Sequence, residues 1–184
     1  QTPRTTNNFV KLVKKHFYDG LLFHRVEKGF MIQGGDPDSR HAKAEQILGN
    51  GSLKYTVPAE FDTSLFHEKG AMAMARETND INPKKASSST QFYIVEGRTF
   101  TDIEMNRIEE QFHIKIPESH REIYKTIGGA PFLDMNYTVF GQVISGLDVI
   151  DKIAHAAKDR NDRPLHDIKM KIILLKRNEY RKYL

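Results

Sequence analysis

The chain has 184 residues, 39% hydrophobic and 28% charged, a balance typical of one globular domain with a single core. It has no cysteine, which excludes disulfides and thiolate chemistry, and no apolar run reaches the ~20 residues of a membrane-spanning helix. The net charge is +4, but the basic residues are scattered among 24 acids rather than gathered in a stripe, so we expect no nucleic-acid partner.

An amphipathic helix is predicted at the start of the chain. Thr2 and Pro3 are typical of an N-cap and a first helical position, and Tyr18-Asp19-Gly20 ends the element. Its apolar face is predicted to consist of Phe9, Leu12, Val13, His16 and Phe17.

The stretch FHRVEKGFMIQGG, which begins at Phe23, predicts two short strands around a tight turn. Alternation places Arg25 on the same face as Phe23. It likewise places Gln33 with Met31 on the following strand. A permanent cation and a neutral amide thus stand among apolar residues. Taken alone, the arginine could simply cover a sheet edge or pair with an acid.

The middle of the chain is predicted to be irregular, with isolated strands. Residues 36–69 are mostly loop apart from Tyr55-Thr56-Val57. Residues 70–75 form a strand, and a polar segment from Arg76 to Thr90 leads to another strand at 91–95. Strand parity in that last segment turns its tyrosine and its glutamine to one face and its phenylalanine to the other.

A helical hairpin is predicted over residues 101–129, where Thr101 and Glu104 fit a capping box and Pro117 opens the second helix. Strands at 137–143 and 168–175 follow.

Between those two strands, Ser145 with Asp148 is predicted to cap a helix that runs through Ile153. Strands separated by long loops do not follow a regular βαβ order. The sequence therefore favours a mainly antiparallel sheet or barrel with a few helices.

Metal and nucleophile chemistries lack their usual patterns. The eight histidines have no zinc-site spacing, and Asp36-Pro37-Asp38 begins like a calcium loop but lacks the later glycine and glutamate. There is no GxSxG and no GxGxxG motif. We predict no metal and no cofactor.

Three pairs of segments together resemble the cyclophilins, a family of peptidyl-prolyl cis-trans isomerases. They are FHRV at 23–26 with GFMIQGGD at 29–36, MA at 74–75 with QFYI at 91–94, and FLD at 132–134 with VFGQV at 139–143. The resemblance covers most of the chain in the family's order.

The resemblance implies an antiparallel β-barrel, eight-stranded in the family, with flanking helices, as a single domain over residues 1–184. Residues 98–130 would be an insertion that contains the helical hairpin. The two strands that precede the first helix in cyclophilins are missing, so we expect a shortened version of a longer protein. An export signal could be hidden by the shortening, which leaves both cytoplasm and periplasm open.

The resemblance also implies a site. Arg25 would be the catalytic arginine facing the substrate groove, with Gln33 beside it. Phe30 and Met31 would floor the proline pocket, and Tyr93 would complete it, with Phe92 left to the core. The other implied substrate-binding residues are Ala75 and Arg76 through their backbone, Gln91 at the groove edge, and Phe132, Leu133 and Tyr137 on the far wall.

Rotation about an X–Pro bond fits these residues chemically. It breaks no bond, so it needs neither nucleophile nor metal. A donor aimed at the prolyl nitrogen acts most strongly when that nitrogen has regained its lone pair in the twisted state. We expect proline-containing peptides or unfolded proteins as substrates, no membrane span, and a monomer. The alternative is a proline-peptide binding or scaffold module with incidental catalysis, in which the hairpin provides partner contacts.

Three positions depart from the family pattern. Phe132 replaces a common tryptophan and Tyr137 a common histidine, which implies a weakened affinity for the drug cyclosporin. Arg76 stands where asparagine is usual, in front of a longer loop, which implies a shifted substrate preference. Met31, Tyr93, Phe132 and Leu133 could equally be core residues.

Overall fold

The computed structural model describes residues 1–176 and residue 179. Within this part of the chain there are seven β-strands and four α-helices. In chain order they are α1 (Pro3–Lys14), β1 (Phe23–Glu27), β2 (Met31–Gly34), β3 (Thr56–Val57), β4 (Ala71–Met74), β5 (Ser87–Ser88), β6 (Phe92–Val95), α2 (Asp102–Phe112), α3 (Glu118–Thr126), β7 (Val139–Gln142) and α4 (Leu147–Ala154).

Five of the strands form an antiparallel sheet in the order β1-β2-β6-β4-β7, and β3 pairs with β5 in a separate two-stranded ladder. The predicted mainly antiparallel fold with flanking helices is therefore confirmed. The tight turn between β1 and β2 is also confirmed, and Gly29 occupies its left-handed position with φ +75°.

One face of the five-stranded sheet is covered by helices. Helix α1 packs Phe9 and Leu12 against Phe92 of β6, and α4 packs Ile150 against Ile32 of β2. Because side chains alternate along a strand, the neighbouring residues of β2 and β6 point to the opposite face. That second face carries the candidate site. Phe92 lies on the helix-covered face and Tyr93 on the second face, as strand parity predicted.

The ends of two helices were predicted wrongly. Helix α1 ends at Lys14, and His16 lies beyond it, exposed, with φ +55°, so it is not part of the apolar face. Helix α4 has Gly146 at its N-cap without any side-chain cap bond, so Ser145 does not cap it. The Asp148 carboxylate instead accepts from Lys152 one turn later.

A register shift in β1 separates Phe23 from Arg25, which were expected on one face. Phe23 packs beside Val26 and Ile32 on the helix-covered face, while Arg25 lines the pocket on the other face. An extra residue in a strand reverses the alternation at that point. The bulge is thus the reason why the arginine reaches the open face.

The predicted strand at 168–175 is largely wrong within the described residues. Only Lys169 forms a bridge, with Leu22, and Ile173 to Leu175 are exposed. Strand β5, at Ser87–Ser88, was not predicted and lies in the segment expected to be polar loop.

The helical hairpin is confirmed as α2 and α3. The capping box is present, with Glu104 N donating to Thr101 Oγ1 and Thr101 N donating to the Glu104 carboxylate. Its small core contains Met105, Ile116 and Tyr124. The hairpin therefore has its own buried cluster and also borders the candidate site.

Candidate active site

The open face of the sheet bears a pocket with a volume of about 320 Å³, within the size range of small-ligand clefts. It brings together nine of the eleven residues that the sequence indicated. These are Arg25, Phe30, Met31, Gln33, Ala75, Arg76, Tyr93, Leu133 and Tyr137.

A chain of three polar side chains crosses the sheet at the edge of the pocket. Arg25 Nη1 donates to Gln33 Oε1 at 3.3 Å, and Gln33 Nε2 donates to Gln91 Oε1 at 3.0 Å. Gln91 Nε2 in turn donates to the carbonyl oxygens of Gly49 and Gly51, at 2.8 and 2.7 Å. Each amide has its oxygen accepting and its nitrogen donating, so both amide orientations are fixed by the same chain.

The guanidinium of Arg25 also forms an ion pair with Glu27 on the same strand. Its side chain is nevertheless 41% exposed, and it lines the pocket. The two contacts restrict the planar guanidinium without burying it, which leaves donors free for a ligand.

The floor of the pocket is apolar. Met31, Tyr93 and Leu133 are buried in one cluster, and Phe30 packs against them from the turn after β1. Burial raises the pKa of the Tyr93 hydroxyl well above its usual value, with the charges of Tyr137 and Asp134 adding to the effect. This hydroxyl bonds to His67 Nε2 at 2.9 Å rather than to a pocket-lining group.

A second arginine and an aromatic ring lie together at the pocket. The Arg76 guanidinium lies over the ring of Tyr137, 4.6 Å from its centroid, and its Nε donates to the carbonyl oxygen of Asn136 at 2.7 Å. Arg163 also lines the pocket, but it is buried, and its guanidinium is held by the carbonyl oxygens of Lys43 and Gln46 and by Asp167.

Two of the eleven residues lie outside the pocket. Gln91 is buried behind Gln33 and lines a neighbouring cavity. Phe132 lies behind Phe30, with their ring centroids 5.5 Å apart, and contacts Phe112 of α2 on its other side. Both support the pocket from outside its lining.

A family model described as cyclophilin type peptidyl-prolyl cis-trans isomerase matches residues 1–173. The chain belongs to this family. Its predicted isomerase function is thereby confirmed, together with the family itself.

Two staphylococcal relatives of this cyclophilin-type chain both carry the name "Putative peptidyl-prolyl cis-trans isomerase". The protein from Staphylococcus aureus (strain USA300) is 35% identical over 166 residues, which cover 90% of this chain and 77% of the relative. The protein from Staphylococcus saprophyticus is 36% identical over 171 residues, with the same two coverages.

Solved structures show the same fold. A cyclophilin-type isomerase from Cryptosporidium parvum has a TM-score of 0.65 at 22% identity and covers 93% of this chain and 82% of its own. Its structure in the presence of the dipeptide Ala-Pro gives a TM-score of 0.64 at 22% identity, with coverages of 96% and 88%.

Sequence reasoning missed part of the cyclophilin pocket. His24 lines it from β1, and burial lowers the pKa of its imidazole to about 4. The other lining residues that were missed come from two loops; they are Gln46, Leu48, Gly49 and Asn50, and Asn161 with Arg163. His24 could have been found inside the FHR motif, whereas the loop residues show no periodicity that would place them.

Within residues 1–176 and 179, no group of three or more His, Cys, Asp and Glu side chains could hold a metal ion. None of the helices in that part of the chain combines the length and apolar character that crossing a bilayer demands.

Proposed function

We propose that this chain catalyses cis–trans isomerisation of X–Pro bonds in proline-containing peptides and unfolded proteins, as a folding helper, with Arg25 as the catalytic group. The observation that carries the proposal is the position of the Arg25 guanidinium, fixed by Gln33 at the rim of an apolar pocket and still 41% exposed. The family membership of the chain supports the reaction itself.

Arg25 would act on the prolyl nitrogen. The barrier of about 18–20 kcal/mol to rotation is the amide resonance lost when the bond twists. In the twisted state the nitrogen regains its lone pair and becomes a good hydrogen-bond acceptor. A guanidinium donor aimed there stabilises the transition state more than either planar ground state, and therefore accelerates rotation in both directions.

Gln33 would steady the carbonyl side of the bond. Its amide nitrogen has two protons, and Gln91 accepts one of them at 3.0 Å. The second remains for a substrate carbonyl oxygen. Because Gln91 is itself held by two loop carbonyls, the Gln33 amide is oriented before substrate arrives.

The apolar floor would hold the prolyl ring while the preceding residue turns. The side chains of Phe30, Met31 and Leu133 offer no hydrogen-bond donor that would compete with Arg25 for the prolyl nitrogen. The Cryptosporidium relative was crystallised in the presence of Ala-Pro, which supports a proline peptide as the ligand class.

The alternative is a proline-peptide binding module whose catalysis is incidental. The exposed apolar side chains Ile103 and Ile127 of the hairpin favour it, since they could contact a partner. We propose that the chain acts as a monomer and as one domain, without nucleic acid. A single mass in analytical ultracentrifugation and the absence of retention on DNA or RNA are the expected results.

NMR exchange spectroscopy on an X–Pro peptide tests the proposed function. The wild type should raise the exchange rate between cis and trans peptide, and Arg25→Ala should lose most of that increase. Peptide binding without any exchange increase in the wild type would favour the binding module instead.

A further inference from the structure

Four buried side chains link the helical hairpin to the pocket floor. Tyr124 of α3 donates its hydroxyl proton to Asp134 Oδ2, with an O–O distance of 2.7 Å. Asp134 Oδ1 accepts from the His67 backbone N–H at 2.9 Å and lies 2.8 Å from His67 Nδ1. His67 Nε2 lies 2.9 Å from the hydroxyl of Tyr93, which lines the pocket.

The chain of bonds has one consistent direction. A carboxylate only accepts hydrogen bonds, so in this arrangement the His67 Nδ1–H donates a hydrogen bond to Asp134 Oδ1. In the tautomer with its proton on Nδ1 alone, Nε2 is an acceptor, and the Tyr93 hydroxyl donates a hydrogen bond to it. The Tyr93 O–H thus points away from the pocket, and the floor presents the tyrosine ring.

Burial makes this arrangement stiff. His67 and Tyr124 are fully buried, and Tyr93 and Asp134 are 4% and 8% exposed. Burial also raises the pKa of both tyrosines, which keeps their hydroxyls protonated as donors. A buried polar chain that loses one member leaves its neighbour without a partner, so each bond helps to hold the next.

The end of the hairpin is packed directly on this chain. A side chain at Gly129 would meet the His67 carbonyl oxygen at 2.2 Å and the Tyr124 ring at 2.6 Å. Ala130 N donates to the same carbonyl oxygen at 2.8 Å.

We propose that His67 is a positioning residue for the proline pocket, and that Tyr124 of the hairpin fixes it through Asp134. The inference rests on the proposed function and extends it, since it makes the hairpin part of the substrate-binding apparatus. Without the Tyr124 hydroxyl, Asp134 Oδ2 is unpaired and the His67 ring is held less firmly. The Tyr93 hydroxyl can then turn into the pocket and compete with the prolyl ring.

A positioning defect should change KM rather than kcat. The pocket floor grips the prolyl ring in the ground state and the transition state alike, so loosening it removes uniform binding. The twisting step depends on Arg25, which is not part of the chain from Tyr124 to Tyr93.

The test compares Tyr124→Phe with Tyr18→Phe. Tyr18 is equally buried and also loses one hydroxyl bond, to the Thr90 carbonyl oxygen, but it packs in the α1 cluster and does not line the pocket. Both variants should lower the melting temperature. Only Tyr124→Phe should raise KM for an X–Pro peptide, by about three- to tenfold for one lost buried hydrogen bond, with kcat within about twofold.

A double-mutant cycle completes the experiment. In a Tyr93→Phe background, Tyr124→Phe should no longer change KM, because the hydroxyl that it releases is gone. The inference is overturned if Tyr124→Phe matches Tyr18→Phe in KM, or if its effect persists undiminished in that background. A wild type without turnover would contradict the proposed function instead. The same variants would then be compared by peptide Kd from NMR titration. Tyr124→Phe alone should raise Kd, and a Kd equal to that of Tyr18→Phe would overturn the inference.

Discussion

Arg25 and Gln33 are register partners on antiparallel strands, and the guanidinium donates to the amide oxygen across the pair at 3.3 Å. The pairing depends on the bulge after Phe23, which turns Arg25 to the open face of the sheet. It also depends on Gln91, which orients the amide. The arrangement of the proposed catalytic pair is therefore held by backbone register and by one continuous chain of hydrogen bonds.

Arg25→Ala should lower kcat/KM by about 10²–10³, the loss typical of removing one transition-state donor. Arg25→Lys should recover only part of this, because an ammonium lacks the planar fork that can contact Gln33 and substrate at once. A protease-coupled assay on an X–Pro peptide measures both variants.

Arg107→Ala is the matched control for that experiment. Arg107 is an exposed residue of α2 that does not line the pocket, so its loss should leave kcat/KM within about twofold. Unchanged turnover in Arg25→Ala, with a melting temperature equal to that of the wild type, would remove Arg25 from the mechanism.

Arg76 should bias the choice of substrate. Of the three arginines that line the pocket, Arg25 and Arg163 form ion pairs with Glu27 and Asp167, whereas Arg76 forms none within the described part of the chain. A peptide with glutamate next to proline should therefore have a higher kcat/KM than its lysine counterpart, by about two- to tenfold at low salt. The measurement is turnover of the two peptides at 20 mM and 500 mM salt, roughly a fivefold change in screening length.

Arg76→Asn separates this residue from the other two arginines. The variant should shrink the preference for the acidic peptide while turnover of a neutral peptide stays close to that of the wild type. If the preference is the same in the wild type and in Arg76→Asn, or if it does not weaken with salt, then Arg76 is not its cause.

Local patterns predicted much of the site. Strand alternation is a property of a few adjacent residues, so it correctly separated Phe92 from Tyr93. The capping box at Thr101 is equally local, and the hairpin began where it indicated. The resemblance supplied Arg25 and Gln33, and the structure places both at one pocket.

Long-range contacts could not be predicted in this way. The partners of His67 are 67 and 26 residues away in sequence, and no pattern around it sets it apart from the other histidines. The bulge after Phe23 depends on the register with β2, which alternation alone does not reveal. Helix α1 ends at Lys14 and His16 beyond it is left-handed, which the apolar spacing through Phe17 does not reveal.

Gly35→Ala should destabilise the protein more than Gly29→Ala. Both glycines have positive φ, +91° and +75°, so alanine costs about 1–2 kcal/mol at either position. At Gly35 the new Cβ would also lie 2.3 Å from the Thr90 carbonyl oxygen, whereas nothing lies within 4 Å at Gly29. Urea unfolding should show an additional loss of at least about 1 kcal/mol at position 35. Equal losses would mean that the left-handed backbone conformation alone sets the cost of alanine at both positions.

His24 should make the folded state sensitive to acid. Burial lowers the pKa of its imidazole from 6.5 to about 4, opposed by the Asp36 carboxylate and assisted by the charges of Arg25 and Arg163. Between these two pH values the unfolded chain binds a proton that the folded chain does not. The free energy of unfolding therefore has its full value above about pH 6.5 as far as His24 is concerned. It decreases as the pH falls toward 4, by about 3 kcal/mol in total.

Urea unfolding at pH 7.5 and pH 5 measures this for the wild type and His24→Gln. The wild type should lose about 2 kcal/mol more than the variant between the two conditions, since the glutamine has no proton to gain. His16→Gln is the control, because His16 is exposed outside helix α1 and its loss should leave the wild-type slope nearly intact. Parallel pH dependences for the wild type and His24→Gln would show that His24 is protonated equally in both states, and the acid sensitivity would then belong to other groups.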